Sequence, residues 1–225
     1  MKKFALTLSL LLLGGMTASA TVIVDEFTSA SLPDTAGVGC GAAPATADNT
    51  GVAPFSARHM EVTRTEGSNC ISVDTSPGTL NADTALDLGG GTSGDILVTW
   101  TAAAPVDISS ETLLSFLLFY NHGGGGTPGD DSTFTFYICD ASNCMSRTLT
   151  LGANFGPTVL NWALDSFTGF GSVNLAAVTN VRLAMHLEDG ADAVLDQISL
   201  TTPEPSTLAL LGSALVGMAL YRRRK

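Results

Sequence analysis

Between Thr21 and Thr202 the apolar residues fall in short runs separated by turn residues, and no segment keeps a helical period. Val22–Thr28 is the first run. Arg58, Met60 and Val62 alternate with His59, Glu61 and Thr63, as in a half-buried strand. Ile71 and Val73 share a face of Cys70–Asp74, and Ile96, Val98 and Trp100 share a face of Asp95–Thr101. Leu113–Tyr120 is the most apolar of these runs. Its composition would suit a short helix, but its aromatics and the Asn121-His122-Gly123 break predict a fully buried central strand. Phe134, Phe136 and Ile138 alternate through Thr133–Cys139, and Ser146–Leu151 follows as the hairpin partner. Val159–Leu164, Val181–Leu187 and Ala193–Leu200 complete the series. Cys40–Phe55 and Gly123–Asp131 read as loops, and Gly89-Gly90-Gly91 as a break. About ten short strands with turn signals throughout predict an all-β, jelly-roll-like β-sandwich over 21–202.

The two ends follow other patterns. Met1-Lys2-Lys3, apolar Phe4–Met16 and the small-residue pattern Ala18-Ser19-Ala20 read as a secretory signal peptide over 1–20, cleaved after Ala20. Beyond residue 202, Pro203-Glu204-Pro205-Ser206 precedes an uncharged stretch, Thr207–Tyr221. Arg222, Arg223, Arg224 and Lys225 then form a basic stop. As a transmembrane helix, 207–221 would span roughly 22 Å, short of the roughly 30 Å hydrocarbon core. Such a segment inserts with some bilayer thinning, and its four cations stay on the cytoplasmic side. An ordinary single-pass anchor is one alternative. A buried core helix is another, although the terminal cations give it no rationale.

Charge and cysteine content sharpen the picture. Of the 10 Lys+Arg, only Arg58, Arg64, Arg147 and Arg182 lie in 21–202, against 20 of the 21 acids, so this part carries −16. That balance argues against nucleic acid as a partner and suits cations or neutral glycans, as well as simple solubility. Four cysteines in an exported chain suggest two disulfides. Asp140-Ala141-Ser142-Asn143 reads as a hairpin turn that joins Cys139 to Cys144, which leaves Cys40 with Cys70 by elimination. The second bridge would contribute roughly 3–4 kcal/mol on chain-entropy grounds. A zinc site is the rival reading, but no Cys-x-x-Cys is present.

The tail resembles the PEP-CTERM sorting signal of Gram-negative bacteria, on three ordered features: Pro203–Ser206, the apolar stretch and the basic end. The resemblance implies recognition by an exosortase, a membrane-embedded processing enzyme, with cleavage near Pro203–Pro205. It further implies transient anchoring in the inner membrane, delivery to the cell surface or outside, and association with exopolysaccharide-producing cells. A looser resemblance links 21–202 to jelly-roll carbohydrate-binding modules. It rests on Val24-Asp25-Glu26-Phe27, Val106-Asp107-Ile108-Ser109, Val178-Thr179-Asn180-Val181 and Leu195-Asp196-Gln197-Ile198-Ser199-Leu200. In such folds the first and last strands often share a structural Ca²⁺, for which Asp25 or Glu26 with Asp196 could supply carboxylates. The alternative places Asp196 at a solvent-facing edge or turn. No other cofactor is implied.

Catalytic signals are lacking. There is no Gly-x-Ser-x-Gly, His59, His122 and His186 are scattered, and no carboxylate pair stands out from the rest. Trp100, Tyr120, Tyr137 and Trp162 are the candidate sugar-stacking aromatics, yet each lies within an expected strand, where core packing is the default. The reading is an exported, non-catalytic structural or matrix component. The alternatives are a glycan-binding module and, third, a secreted hydrolase. Intact mass from cells with and without the processing enzyme is expected to differ by the segment after the Pro-Glu-Pro motif. A surface-exposed protein that retains Lys225 would instead identify a plain anchor.

Overall fold

The chain closes into two facing antiparallel sheets whose inner surfaces carry the alternating apolar positions. The computed structural model describes residues 21–27, 36–39, 45–50, 54–67, 70–76, 79–84, 92–122, 131–152 and 154–202. The expected signal peptide with Ala20, the motif Pro203, Glu204, Pro205 and Ser206, the span 207–221 and the basic stop Arg222, Arg223, Arg224 and Lys225 lie outside them. Among the described residues no helix is long and apolar enough to cross a membrane.

In chain order the strands are β1 (Val22–Asp25), β2 (Ala36–Gly39), β3 (Ala45–Thr50), β4 (Ala57–Arg64), β5 (Ile71–Ser76), β6 (Thr79–Thr84) and β7 (Gly94–Val106). They continue with β8 (Leu113–His122), β9 (Ser132–Cys139), β10 (Cys144–Leu151), β11 (Phe155–Ala163), β12 (Val178–Leu187) and β13 (Ala191–Thr201). Three 3₁₀ turns between Leu164 and Ala177 join β11 to β12. The seven-stranded sheet runs β11-β8-β13-β6-β5-β2. Strand β1 takes the same edge of β13 as β6: β6 pairs with Asp192–Asp196, and β1 with Ile198, Ser199 and Leu200. First and last strands therefore lie side by side. The six-stranded sheet runs β10-β9-β12-β7-β4-β3. Thr21–Thr201 forms one compact unit.

The period-two alternation decides which side chains are buried. Phe134, Phe136 and Ile138 of β9 and Leu183 and Met185 of β12 face Leu114, Phe116, Leu118 and Tyr120 of β8 and Leu195 of β13, all buried. Phe116 lies 4.7 Å from Phe136 between ring centroids and meets Trp162 edge-on at 5.1 Å. Strand β8 is central, between β11 and β13, but not buried on both faces. Leu113, Ser115, Leu117 and Phe119 are half-exposed on the side of the sheet turned away from the core, alternating with the buried Leu114, Phe116, Leu118 and Tyr120.

Three strands escaped the sequence pattern. Strand β3, Ala-Thr-Ala-Asp-Asn-Thr, lies in the expected Cys40–Phe55 loop and pairs along β4. It is an edge strand of small and polar residues, formed by backbone pairing rather than by an apolar face. Strand β2, Ala-Gly-Val-Gly, is the corresponding edge of the other sheet. Strand β6 shows only Leu80 and Ala82 as buried alternating residues, too few to register as a periodic run.

One buried polar group ties the two sheets together. The Asp25 carboxylate on β1 is fully buried. Arg58 of β4 donates from Nη1 to Asp25 Oδ2 at 2.6 Å, and Trp100 of β7 donates from Nε1 to the same oxygen at 2.7 Å. Asp25 Oδ1 accepts the Phe27 amide at 2.8 Å, which holds Phe27 at a left-handed φ of 52°. The Arg58 guanidinium lies 5.8 Å from the Phe27 ring centroid, and its Nη2 donates to Thr75 Oγ1 of β5 at 3.4 Å.

Breaking a buried ion pair from one side leaves an uncompensated charge and costs about 3–5 kcal/mol. Asp25→Asn and Arg58→Met are each expected to lose about that much in urea unfolding followed by tryptophan fluorescence. The double variant is expected to lose less than the sum, because its members share one interaction. Additive losses would show that the pair is not coupled.

Candidate functional site

The side of the six-stranded sheet that faces away from the core carries an ordered polar grid, and strand register builds it row by row. The first row reads Asp48, His59, Thr99, Arg182, Tyr137 and Ser146 across β3, β4, β7, β12, β9 and β10. The next reads Thr46, Glu61, Leu97, Ala184, Thr135 and Thr148, and the third Thr63, Asp95, His186, Thr133 and Thr150. These are the complements of the buried positions on the same strands. Their outward aim follows from the packing of Met60, Val62, Ile96, Val98, Leu183, Phe134 and Phe136 on the other side.

A groove of about 290 Å³ opens across the second and third rows. Leu97 and Ala184, cross-strand partners on β7 and β12, form its floor. Ala184 carries only a methyl group between longer neighbours, and this leaves the hollow. Glu61 and Thr63 bound it on β4, Asp95 on β7, Thr133 and Thr135 on β9, and His186 on β12. The wall therefore combines hydroxyls with carboxylates around a small apolar floor.

His186 links this wall to the β12–β13 turn. Its Nδ1 lies 2.7 Å from Asp95 Oδ1 and its Nε2 lies 3.1 Å from Glu188 Oε1. Partial burial works against the charged ring. The hydrogen bond and charge of Asp95, with those of Glu188, outweigh it and hold the pKa above its ordinary 6.5. Thr135 and Thr148 share a hydrogen bond of 2.9 Å on the β9–β10 side of the grid. In the first row His59 Nδ1 lies 2.6 Å from Asp48 Oδ1.

The residues singled out by sequence fall in different places. Trp100, Tyr120 and Trp162 are core residues, while Tyr137 is half-exposed in the first row, opposite Arg182. Cys139 and Cys144 are disulfide-bonded directly across the β9–β10 hairpin, with Cα atoms 4.1 Å apart. The Asp140 turn is there: its Oδ1 accepts the amides of Ser142 and Asn143, each at 2.7 Å. Cys70 is disulfide-bonded, and Cys40, its expected partner, lies outside the described residues. Asp25 points between the sheets, where the Arg58 guanidinium is its counter-ion. Asp196 alternates with buried Leu195 and falls on the outward row of β13. The two carboxylates thus do not share a face. Among the described residues no three His, Cys, Asp or Glu side chains form a group that could hold a metal.

Sequence reasoning placed Glu61 and Thr63 on the outer face of a strand but did not join them to Asp95, Ala184 and His186. Their convergence depends on the order β9-β12-β7-β4, which no local pattern encodes. It also missed Glu111, in the turn before β8. This residue is 4% exposed. Its Oε1 accepts the Ser110 hydroxyl at 3.2 Å, and its Oε2 has no partner.

The fold and this face define an all-β sandwich with an open polar groove on one sheet. Residues 201–225 match the family described as the PEP-CTERM protein-sorting motif. The motif marks the chain as an exported protein sorted to the cell surface and implies processing by an exosortase. No curated protein matches the chain. Among solved structures it is similar to the family 11 carbohydrate-binding module from Clostridium thermocellum in complex with a β-1,3-1,4-mixed-linked tetrasaccharide. That likeness has 12% identity, 83% of this chain, 98% of that chain and a TM-score of 0.42. The corresponding module of the cellulosomal cellulase Lic26A-Cel5E of the same organism gives 11% identity, 83% and 97% coverage and a TM-score of 0.42. An agarase gives 12% identity and a TM-score of 0.44, over 81% of this chain and 24% of that one.

Burial pushes the Glu111 carboxyl above its ordinary pKa of 4.5, with the Ser110 hydrogen bond opposing. The folded state therefore disfavours the charged form, and stability is lost as pH rises through the carboxylate range. Glu111→Gln is expected to melt above the parent at neutral pH, with the gap closing as pH falls below 4.5. A constant gap across pH would show that ionisation is not the cause.

Proposed function

We propose that this protein is an exported, non-catalytic component of the cell surface or extracellular matrix, held to exopolysaccharide by the groove on its six-stranded sheet. The hydroxyl- and carboxylate-lined trough over the Leu97–Ala184 floor carries this reading. Sugar hydroxyls need acceptors and donors at close spacing, and the apolar C–H face of a sugar ring needs a small apolar patch. Thr63, Thr133, Thr135, Glu61 and Asp95 offer the first, and Leu97 with Ala184 the second. The charge of 21–202 disfavours polyanionic glycans and leaves neutral ones as the preferred class.

A hydrolytic role has less support. Both ring nitrogens of His186 are engaged by carboxylates, so neither is placed to activate a nucleophile. The apolar segment 207–221 serves, on this reading, to hold the chain in the inner membrane until an exosortase cuts near Pro203–Pro205.

Ala184→Trp fills the floor from the outside and leaves the core side of β12 untouched. Affinity electrophoresis through gels containing neutral soluble polysaccharides (mixed-linkage β-glucan, galactan, dextran) is expected to retard the parent on at least one. The variant is expected to lose about tenfold or more in affinity, about 1.4 kcal/mol, with little change in melting temperature. Equal retardation of the two proteins, or none of the parent, would overturn the groove as a glycan site. Release of reducing ends from the same polysaccharides would overturn the non-catalytic assignment.

A further inference from the structure

We propose that His186 is a proton-operated clasp on the groove. In its imidazolium form it holds the Asp95 wall in the shape that takes a glycan, and loss of its proton opens that wall. The inference rests on the glycan reading of the same groove and adds its regulation.

The geometry requires two donors. An imidazole whose Nδ1 faces one carboxylate at 2.7 Å and whose Nε2 faces another at 3.1 Å satisfies both only when each nitrogen carries a hydrogen. A neutral ring has one donor and turns a lone pair toward the other carboxylate. The two partners are not equally free to leave. The Asp95 side chain is 61% exposed, whereas that of Glu188 is 25% exposed. The Glu188 backbone is also pinned, since its amide donates to Ser132 Oγ at 3.1 Å. Ser132 Oγ in turn accepts the Tyr120 hydroxyl at 2.9 Å inside the sandwich. Asp95 is therefore the partner that swings, and Asp95 forms the β7 wall of the groove.

The surroundings make the change one-sided. Glu61 on β4 stands diagonal to Asp95 across the β4–β7 pair, and Asp131 precedes β9 beside Thr133. Thr133, directly opposite His186 on β9, is neutral. Arg64 ends β4 opposite Gly94. Asp189 in the following turn accepts the Thr92 amide at 3.0 Å. Arg182, two positions back on β12, donates from Nε to Asn180 Oδ1 at 2.9 Å. Among the described groove-lining residues Asp95 and Glu61 are the carboxylates and His186 is the one group that can carry a positive charge. Released from the clasp, Asp95 is repelled by Glu61 and loses its fixed position on the wall.

The sign follows from the raised pKa of His186. The clasp is closed at acid pH and opens as pH rises through a midpoint above the ordinary 6.5. If only the clasped form binds, apparent affinity falls by about tenfold for each pH unit beyond that midpoint.

The test uses the full exported chain, its His186→Gln variant and the Ala184→Trp variant, on the neutral polysaccharide that retards the parent. Retention is measured from mildly acidic to mildly alkaline pH, alongside proton NMR titration of the three histidine rings, with His186 assigned from the variant. The expected result has three parts. The parent loses retention with a midpoint that matches the His186 titration, His186→Gln is independent of pH, and the His186 ring titrates above 6.5. Parent retention that does not change with pH, while Ala184→Trp still fails to bind, would overturn the clasp and leave the glycan reading standing. An Ala184→Trp variant that binds like the parent would overturn the glycan reading, and the clasp with it. A His186 ring that titrates at or below 6.5 would overturn the clasp whatever the retention shows.

Discussion

The buried carboxylate of Asp25 is the constraint on which the sandwich depends. A charge removed from water is costly unless it is paired and hydrogen-bonded. Here Arg58, Trp100 and the Phe27 amide supply the donors from three segments of the chain. Arg58 and Trp100 belong to the six-stranded sheet, Asp25 and Thr75 to the seven-stranded one. The interaction therefore fixes the registry of one sheet over the other, which apolar packing does not specify as narrowly. It also sets β1 against β13, since the Asp25–Ile198 pairing is where that ladder shifts register.

Alternation then separates structure from function on the same strands. On β4, Met60 and Val62 build the core while Glu61 and Thr63 line the groove. On β12, Leu183 and Met185 face inward while Ala184 and His186 face outward. Substitutions on the outer rows thus change the groove without opening a cavity in the core. This independence lets a stable sandwich present a groove whose shape and polarity are set by a few side chains. The groove also lies across the middle strands of its sheet, β4, β7, β12 and β9, each paired on both sides, so that the backbone beneath its side-chain walls is held in place.

The acidic balance and the sorting motif belong to one logic. With most of the Lys and Arg in the two end segments, the part from 21 to 202 meets the outside as a polyanion. Such a surface repels anionic lipid and anionic glycans, so the matrix contact proposed above would come from hydrogen bonding and apolar stacking in a defined place. The groove offers such a place, and the motif at residues 201–225 accounts for how the protein reaches the surface.

Sequence alone determined the class of fold, the hairpin that brings Cys139 to Cys144 and the sorting motif, because each is written in local signals. Those signals are the period-two alternation in β4, β7 and β9, the turn chemistry of Asp140–Asn143 and the ordered features after residue 202. It could not reveal β2, β3 or the half-exposed outer face of β8, since edge pairing and sheet coverage depend on neighbours distant in the chain. Nor could it show that Arg58, in line with Met60 and Val62, is the partner of Asp25, 33 residues away. The groove was legible only as scattered outward residues. Tertiary structure gathered Glu61, Asp95, Thr133 and His186, because strand order, and not sequence spacing, sets which side chains become neighbours on a sheet.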